Sequence, residues 1–207
     1  MSRIFSLIWL LLPLLIFSQK VDVMAIGKAI SDSESPYYYD RLEYKYRGLP
    51  QMLDKEEAKH LYYGRLFLQD IIGPYDPRFN ELRSAFETGN YDKCVQLGRE
   101  LYHLDSTNLD ILLIYMKGLE NTKDFERLSP HIGQIRALTD AILESGDGKS
   151  EKTAYMVNTI GDEYILLNML RVGMDFKRQS RAVRDSMLDI WSNGTQTIYI
   201  KVLYTNL

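Results

Sequence analysis

Cys94 and His103 are residue types that could pair as a nucleophile and its base, but Cys94 falls on the apolar face of a helical segment, where a thiol packs as a small hydrophobe. His60, His103 and His131 lie in separate segments, none has a second ligand four residues on, and no H-E-x-x-H occurs, so no metal site is expected. Gly148-Lys149-Ser150 has the ending of a phosphate-binding loop. That loop needs a glycine five positions earlier, where Leu143 stands, and a strand before and a helix after, the reverse of the order expected here. The carboxylate pairs Glu56-Glu57, Asp162-Glu163 and Asp185 with Asp189 are the residues that acid and base work across a cleft would use. They read as helix starts and solvated faces, with Asp162 and Glu163 complementing a helix N-terminus. No catalytic, cofactor-binding or metal-ligating set is therefore expected.

Tyrosine is the residue whose abundance and grouping stand out. The chain has 15, and seven of them are Tyr37, Tyr38, Tyr39, Tyr44, Tyr46, Tyr62 and Tyr63. Aromatic faces stack on sugars and on peptide side chains, and phenol hydroxyls add hydrogen bonds. Tyr39, Leu42 and Tyr46 share one helical stripe and suit a core face; Tyr38, Tyr62 and Tyr63 are the candidate partner-binding residues.

The elements that must position these residues are mostly helical. Val21 to Ile30 has a weak helical spacing, and Ser35-Pro36 predicts a helix start that runs to Gly48. Asp54 with Glu57 three residues on is a capping box, followed by Ala58, Leu61, Tyr62 and Leu66 at helical spacing and stopped by Gly73 and Pro74. From Pro77 onwards, Leu82, Ala85 and Phe86 line a helix that ends at Gly89-Asn90, and Tyr91 opens the next, with Cys94, Leu97 and Leu101. A polar break from Asp105 to Asn108 precedes a third helix through Leu119. Asn90-Tyr91 and Asp124-Phe125 are 34 positions apart, the tetratricopeptide period. Such a unit is two antiparallel helices joined by a tight turn, with a short polar residue capping the second. Gly98 and Ser106 depart from the motif, where a large aromatic and a proline are usual. Ser129-Pro130 looks like a fresh cap and first-turn proline for a helix reaching about Ser145. An irregular helical bundle with a chance period is the alternative.

The end of the chain changes character. Asn193-Gly194 predicts a two-residue type I′ turn between Ser186 to Trp191 and an alternating segment at Ile198, Ile200, Val202 and Tyr204. Asn193-Gly194-Thr195 also fits a glycosylation sequon, although the turn alone explains it. A lone hairpin is marginal in water, and Thr153 to Thr159 is the expected third strand. A helix from Glu163 to Leu170 lies between. The expected fold is mainly α (α+β): tetratricopeptide-like helical hairpins over about 36–145, then a helix with a small antiparallel β-sheet over about 153–207, in one domain spanning 19–207.

Residues 1–18 have the layout of a secretory signal peptide: Arg3, an apolar run from Ile4 to Phe17, then Ser18. At about 1.5 Å per residue the run covers about 21 Å, short of a hydrocarbon core of about 30 Å, so cleavage near Gln19 and no stable membrane insertion afterwards are expected. One cysteine in the chain excludes an internal disulfide, and its place at Cys94, far from the leader, disfavours a lipid attachment there. The net charge of −3 over 207 residues gives no electrostatic footprint for nucleic acid.

The export signal, Tyr62-Tyr63-Gly64 ending a capped helix, the Gly89-Asn90-Tyr91 helical hairpin and Glu163-Tyr164 before a terminal hairpin together resemble an uncharacterised domain-of-unknown-function family of small exported proteins from Bacteroidetes-type bacteria. The resemblance implies export to the periplasm or beyond and a tetratricopeptide-like region, and it brings no activity or ligand. The function expected is non-enzymatic binding of a protein or peptide partner. A carbohydrate or small-ligand module built on the tyrosines is one alternative, and an envelope hydrolase is another.

Overall fold

Eight α-helices and a four-stranded sheet make up residues 21–203, which the computed structural model describes. The expected leader, residues 1–18, and Tyr204 lie outside the described residues. Every α-helix but the second starts at a side chain that caps it. Asp22 accepts from the Ala25 amide and opens α1 (Val23–Ser31), and α2 is Tyr39–Gly48. Helix α2 starts three residues later than Ser35-Pro36 predicts. The Ser35 hydroxyl and carbonyl accept from the Tyr37 and Tyr38 amides, which spends the cap on a turn. The Asp54–Glu57 capping box is present at α3 (Lys55–Gly64). This helix tightens into a 3₁₀ turn at Arg65–Phe67 well before Gly73.

From α4 to α7 the chain runs as successive antiparallel neighbours. These helices are α4 (Pro77–Glu87), α5 (Tyr91–Leu104), α6 (Leu109–Asn121) and α7 (Phe125–Leu143), and Asp76, Asn90, Asn108 and Asp124 cap them in turn. Helices α5 and α6 meet almost backbone to backbone. A Cβ on Gly98 would lie 2.8 Å from Tyr115 Cβ, and one on Gly118 would lie 3.1 Å from Cys94 Cβ. Gly98 therefore stands where an aromatic would be usual because α6 supplies Tyr115 to that space.

Ser129-Pro130 starts no new helix: α7 passes through Pro130 unbroken. Proline there leaves the Glu126 carbonyl without its helical donor, but Glu126 is exposed and water can serve it. The buried face of His131, Gln134, Leu138, Ala141 and Ile142 holds the rest of α7 in place.

After α7 come β1 (Tyr155–Val157), α8 (Ile160–Met169), β2 (Lys177–Val183), β3 (Ser186–Ser192) and β4 (Thr197–Leu203), in sheet order β1-β4-β3-β2. The third strand is where Thr153 to Thr159 predicted it, but β1 pairs parallel to β4, so the sheet is mixed and not purely antiparallel. The β3–β4 hairpin closes through four residues, since Ser192 pairs with Thr197, and the Asn193 side chain accepts from the Thr195 and Gln196 amides. Strand β2 has no sequence signal. Its residues are exposed from Lys177 to Ala182, and its full-length antiparallel ladder to β3 holds it.

Candidate functional site

A groove of about 360 Å³ lies between α3, the 3₁₀ turn Pro50–Met52 and α7. Its floor is apolar, from Pro50, Leu53, Ala58, Ala137 and Ala141. Gly133 lets the Pro50 ring lie against α7, since a Cβ there would come within 3.1 Å of Pro50 Cγ. Arg136, Asp140 and Glu144, spaced one turn apart, form one rim, and Lys55 reaches Glu144 at 2.5 Å from the other side. Ile132 and Met52 stand exposed nearby. Gln134 fixes the geometry from beneath: its side-chain amide donates to the Tyr46 and Arg47 carbonyls and its oxygen accepts from Tyr102 at 3.0 Å.

The candidate tyrosines are placed differently from one another. Tyr38 is half-buried, and its hydroxyl donates to Asp40 at 2.9 Å. Tyr62 and Tyr63 are 1% and 0% exposed, with rings edge-on at 4.8 Å, so no ligand reaches them. They join the helical body to the C-terminal part. The Tyr62 hydroxyl donates to Asp162 at 2.6 Å and accepts from the Asn158 amide, the Asn158 side chain donates to the Tyr62 carbonyl, and the Tyr63 hydroxyl donates to the Met156 carbonyl. Burial pushes both phenols well above their ordinary pKa.

The carboxylates expected on solvated faces are partly in the core. Asp162 and Glu163, consecutive in the first turn of α8, are buried and meet different partners. Asp162 faces Tyr62 and the helical body. Asp110 lies over Gly161, where any Cβ would collide with its carboxylate. Burial, then the Asp162 charge, raises the Asp110 pKa to about 6, with Arg65 opposing. Arg65 itself is buried and paired with Asp105 through two hydrogen bonds of 2.9 and 2.6 Å. The polar break at Asp105 to Asn108 is thus an interior hub, to which Tyr39 and Tyr46 also bond.

Glu163 faces the sheet. Its Oε1 accepts from Trp191 Nε1 at 2.6 Å, and Asp189 and Arg178 stand on the adjoining strands. Burial raises the Glu163 pKa to about 7; the Trp191 hydrogen bond opposes this and the Asp189 charge adds to it. Asp185, by contrast, is exposed in the β2–β3 turn.

The other candidate chemistries stay apart. Cys94 is buried against Gly118 and its thiol pKa is raised by that burial, whereas His103 is exposed and bonds to Arg47. His60 stacks on Tyr37 at 3.8 Å, and His131 sits beside Gln134 between Tyr102 and Tyr115. Among the described residues no three His, Cys, Asp or Glu side chains gather as a metal cluster, and no helix is long and apolar enough to cross a membrane. The loop at Gly148 spends its amides internally. Gly148 N donates to the Thr153 carbonyl and Lys149 N to Asp147, so no phosphate cradle forms.

No curated protein and no solved structure matches the chain. A family match runs over residues 24–206, nearly all of the sequence, and covers both the helical body and the sheet. The chain therefore belongs to the DUF4919 family, a domain of unknown function.

Proposed function

We propose that this protein is an exported, non-enzymatic interaction module that holds a short peptide segment of a partner protein in the groove between α3 and α7. The observation that carries the reading is the groove itself: an apolar floor bounded by charges at one-turn intervals, with Ile132 exposed beside it. Peptide-binding grooves combine these parts, the floor supplying affinity and the rim orientation. Asp54, Asp140 and Glu144 outnumber Lys55 and Arg136. The occupant that fits is an extended segment with two or three apolar side chains next to a basic one.

The 34-residue offset between the caps of α5 and α7 supports a tetratricopeptide-like reading of α4–α7, an architecture that presents binding surfaces along its stacked helices. Peptides selected from a random displayed library on the full chain are expected to converge on apolar residues flanking a Lys or Arg. A selection that yields no such consensus would contradict the proposed occupant.

A further inference from the structure

We propose that the buried carboxylates of Glu163 and Asp189, walled by the Trp191 indole, form a binding site for a guanidinium or primary ammonium group, with Arg178 as its resident and loosely fitted occupant. The two side chains are 0% and 3% exposed. Only Glu163 Oε1 is served, by Trp191 Nε1; Glu163 Oε2 and Asp189 Oδ1 have no hydrogen-bond partner among the described residues. A buried carboxylate oxygen without a donor is costly, and sites of this kind are normally completed.

Arg178 does not complete it. Its Nη1 stands 3.5 Å from Glu163 Oε2 and 3.8 Å from Asp189 Oδ2, beyond the roughly 2.7–2.9 Å of a charge-assisted hydrogen bond. Its guanidinium carbon is 5.8 Å from the Trp191 ring centre, at the outer reach of a cation–π contact of about 6 Å. The side chain is 36% exposed and projects from β2, the edge strand exposed from Lys177 to Ala182, so it can swing out without unpacking a core. A cation that arrives with free donors would gain both orphaned oxygens and the indole face.

The groups that face the site are Glu163 from α8, Asp189 and Trp191 from β3 and Arg178 from β2, while Tyr164 of α8 meets the indole edge-on at 5.9 Å. A proton on Glu163 can be donated to Asp189 and so occupies the same place as the cation. Proton and cation therefore compete, and cation affinity rises as the pH passes through about 7.

The cation could be a free small molecule or an Arg or Lys side chain of a peptide, and the experiment separates the two. Full-length Arg178→Ala is titrated with methylguanidinium, methylammonium and a blocked Gly-Arg-Gly tripeptide, and Tm is followed. A saturable rise of about 3 °C or more is expected for at least one cation, about tenfold weaker at pH 6 than at pH 8 and absent when Glu163→Gln and Asp189→Asn are added. Tripeptide binding at least as tight as methylguanidinium assigns the site to a peptide side chain, and binding of the small cations alone assigns it to a free amine or guanidine. Equal responses from Arg178→Ala and the triple variant overturn the proposal. Should Arg178→Ala not fold, the same cations are titrated into the unsubstituted protein from Gln19, in which Trp191 is the sole tryptophan. A saturable change in its fluorescence that Glu163→Gln with Asp189→Asn abolishes is then expected, and no change overturns the proposal.

Discussion

Gly89 and Lys123, 34 residues apart, hold the same left-handed backbone at the same point of the α4–α5 and α6–α7 turns, with φ of 69° and 60°. The hydrogen bonds around them repeat with the same offset. Asn90 N donates to the Ala85 carbonyl as Asp124 N does to that of Leu119, Gly89 N to Phe86 as Lys123 N to Glu120, and Thr88 N to Ser84 as Thr122 N to Gly118. The period in the sequence is thus a period in backbone geometry. Its second copy carries a side chain where the first carries none.

That difference makes Lys123 a strained position. A non-glycine residue pays for the left-handed conformation, although glycine loses more entropy on folding. Lys123→Gly is expected to stabilise the protein by about 0.5–1 kcal/mol and Gly89→Lys to destabilise it by a similar amount. Urea unfolding of the pair checks this, and a Lys123→Gly midpoint at or below the parent's would refute it.

Backbone contact between α5 and α6 leaves no room at Gly98. A methyl group there would press on both Cα and Cβ of Tyr115, which cannot move without shifting α6. Gly98→Ala is expected to cost about 1–3 kcal/mol, against about 0.5–1 kcal/mol gained from helix propensity at a site with space. Gly48→Ala, at a position open to solvent, serves as the control, and equal midpoints for the two variants would contradict the close crossing.

Glu163 and Asp110 contribute a part of the stability that falls as the pH rises from acid to neutral, against the opposite contribution of His131, whose pKa burial lowers. The Glu163 pKa is raised from 4.5 to about 7 and the Asp110 pKa from 3.8 to about 6, so the folded state holds these protons more tightly than the unfolded state. The contribution of each is fully present below its unfolded pKa and lost as the pH rises through its folded one, a window of about pH 4 to 7. Gln at position 163 keeps an acceptor for Trp191 and gives Asp189 a donor. Glu163→Gln is therefore expected to be more stable than the parent at pH 8, by on the order of 2–3 kcal/mol, and to flatten the dependence of Tm on pH. Parallel pH profiles for the two proteins would rule out Glu163 as its source.

Sequence carried the local parts of this fold and missed the long-range ones. Asp54 with Glu57, Asn90 and Asp124 are legible because a cap needs only its own first turn. Strand β2, Lys-Arg-Gln-Ser-Arg-Ala-Val, is not, because it buries almost nothing and exists through its ladder to β3. Pro130 misled because its cost depends on whether the Glu126 carbonyl can meet water. The break at Asp105 to Asn108 was visible as polar but not as buried, since the Arg65 that pairs with Asp105 lies 40 residues away. At Glu163 a signal was present: Ile165, Leu166, Leu167 and Met169 leave a ten-residue helix apolar nearly all round, with little polar face on which to keep a carboxylate wet. The groove could not be foreseen, because the Pro50 turn and α7, about eighty residues apart in sequence, meet closely at Gly133 with no local signal to announce it.

In the proposed function the groove between α3 and α7 holds the partner peptide. Ala137 is half-buried in its floor beside the exposed Arg136 and Asp140, so Ala137→Arg fills the groove from its solvent side. The most direct test is the Kd of a library-selected peptide for the parent, for Ala137→Arg and for Tyr44→Ala, which changes an exposed side chain on α2. At least tenfold weaker binding to Ala137→Arg, with Tyr44→Ala unchanged, is the predicted result. Equal affinity for parent and Ala137→Arg would rule out the groove as the peptide's binding site.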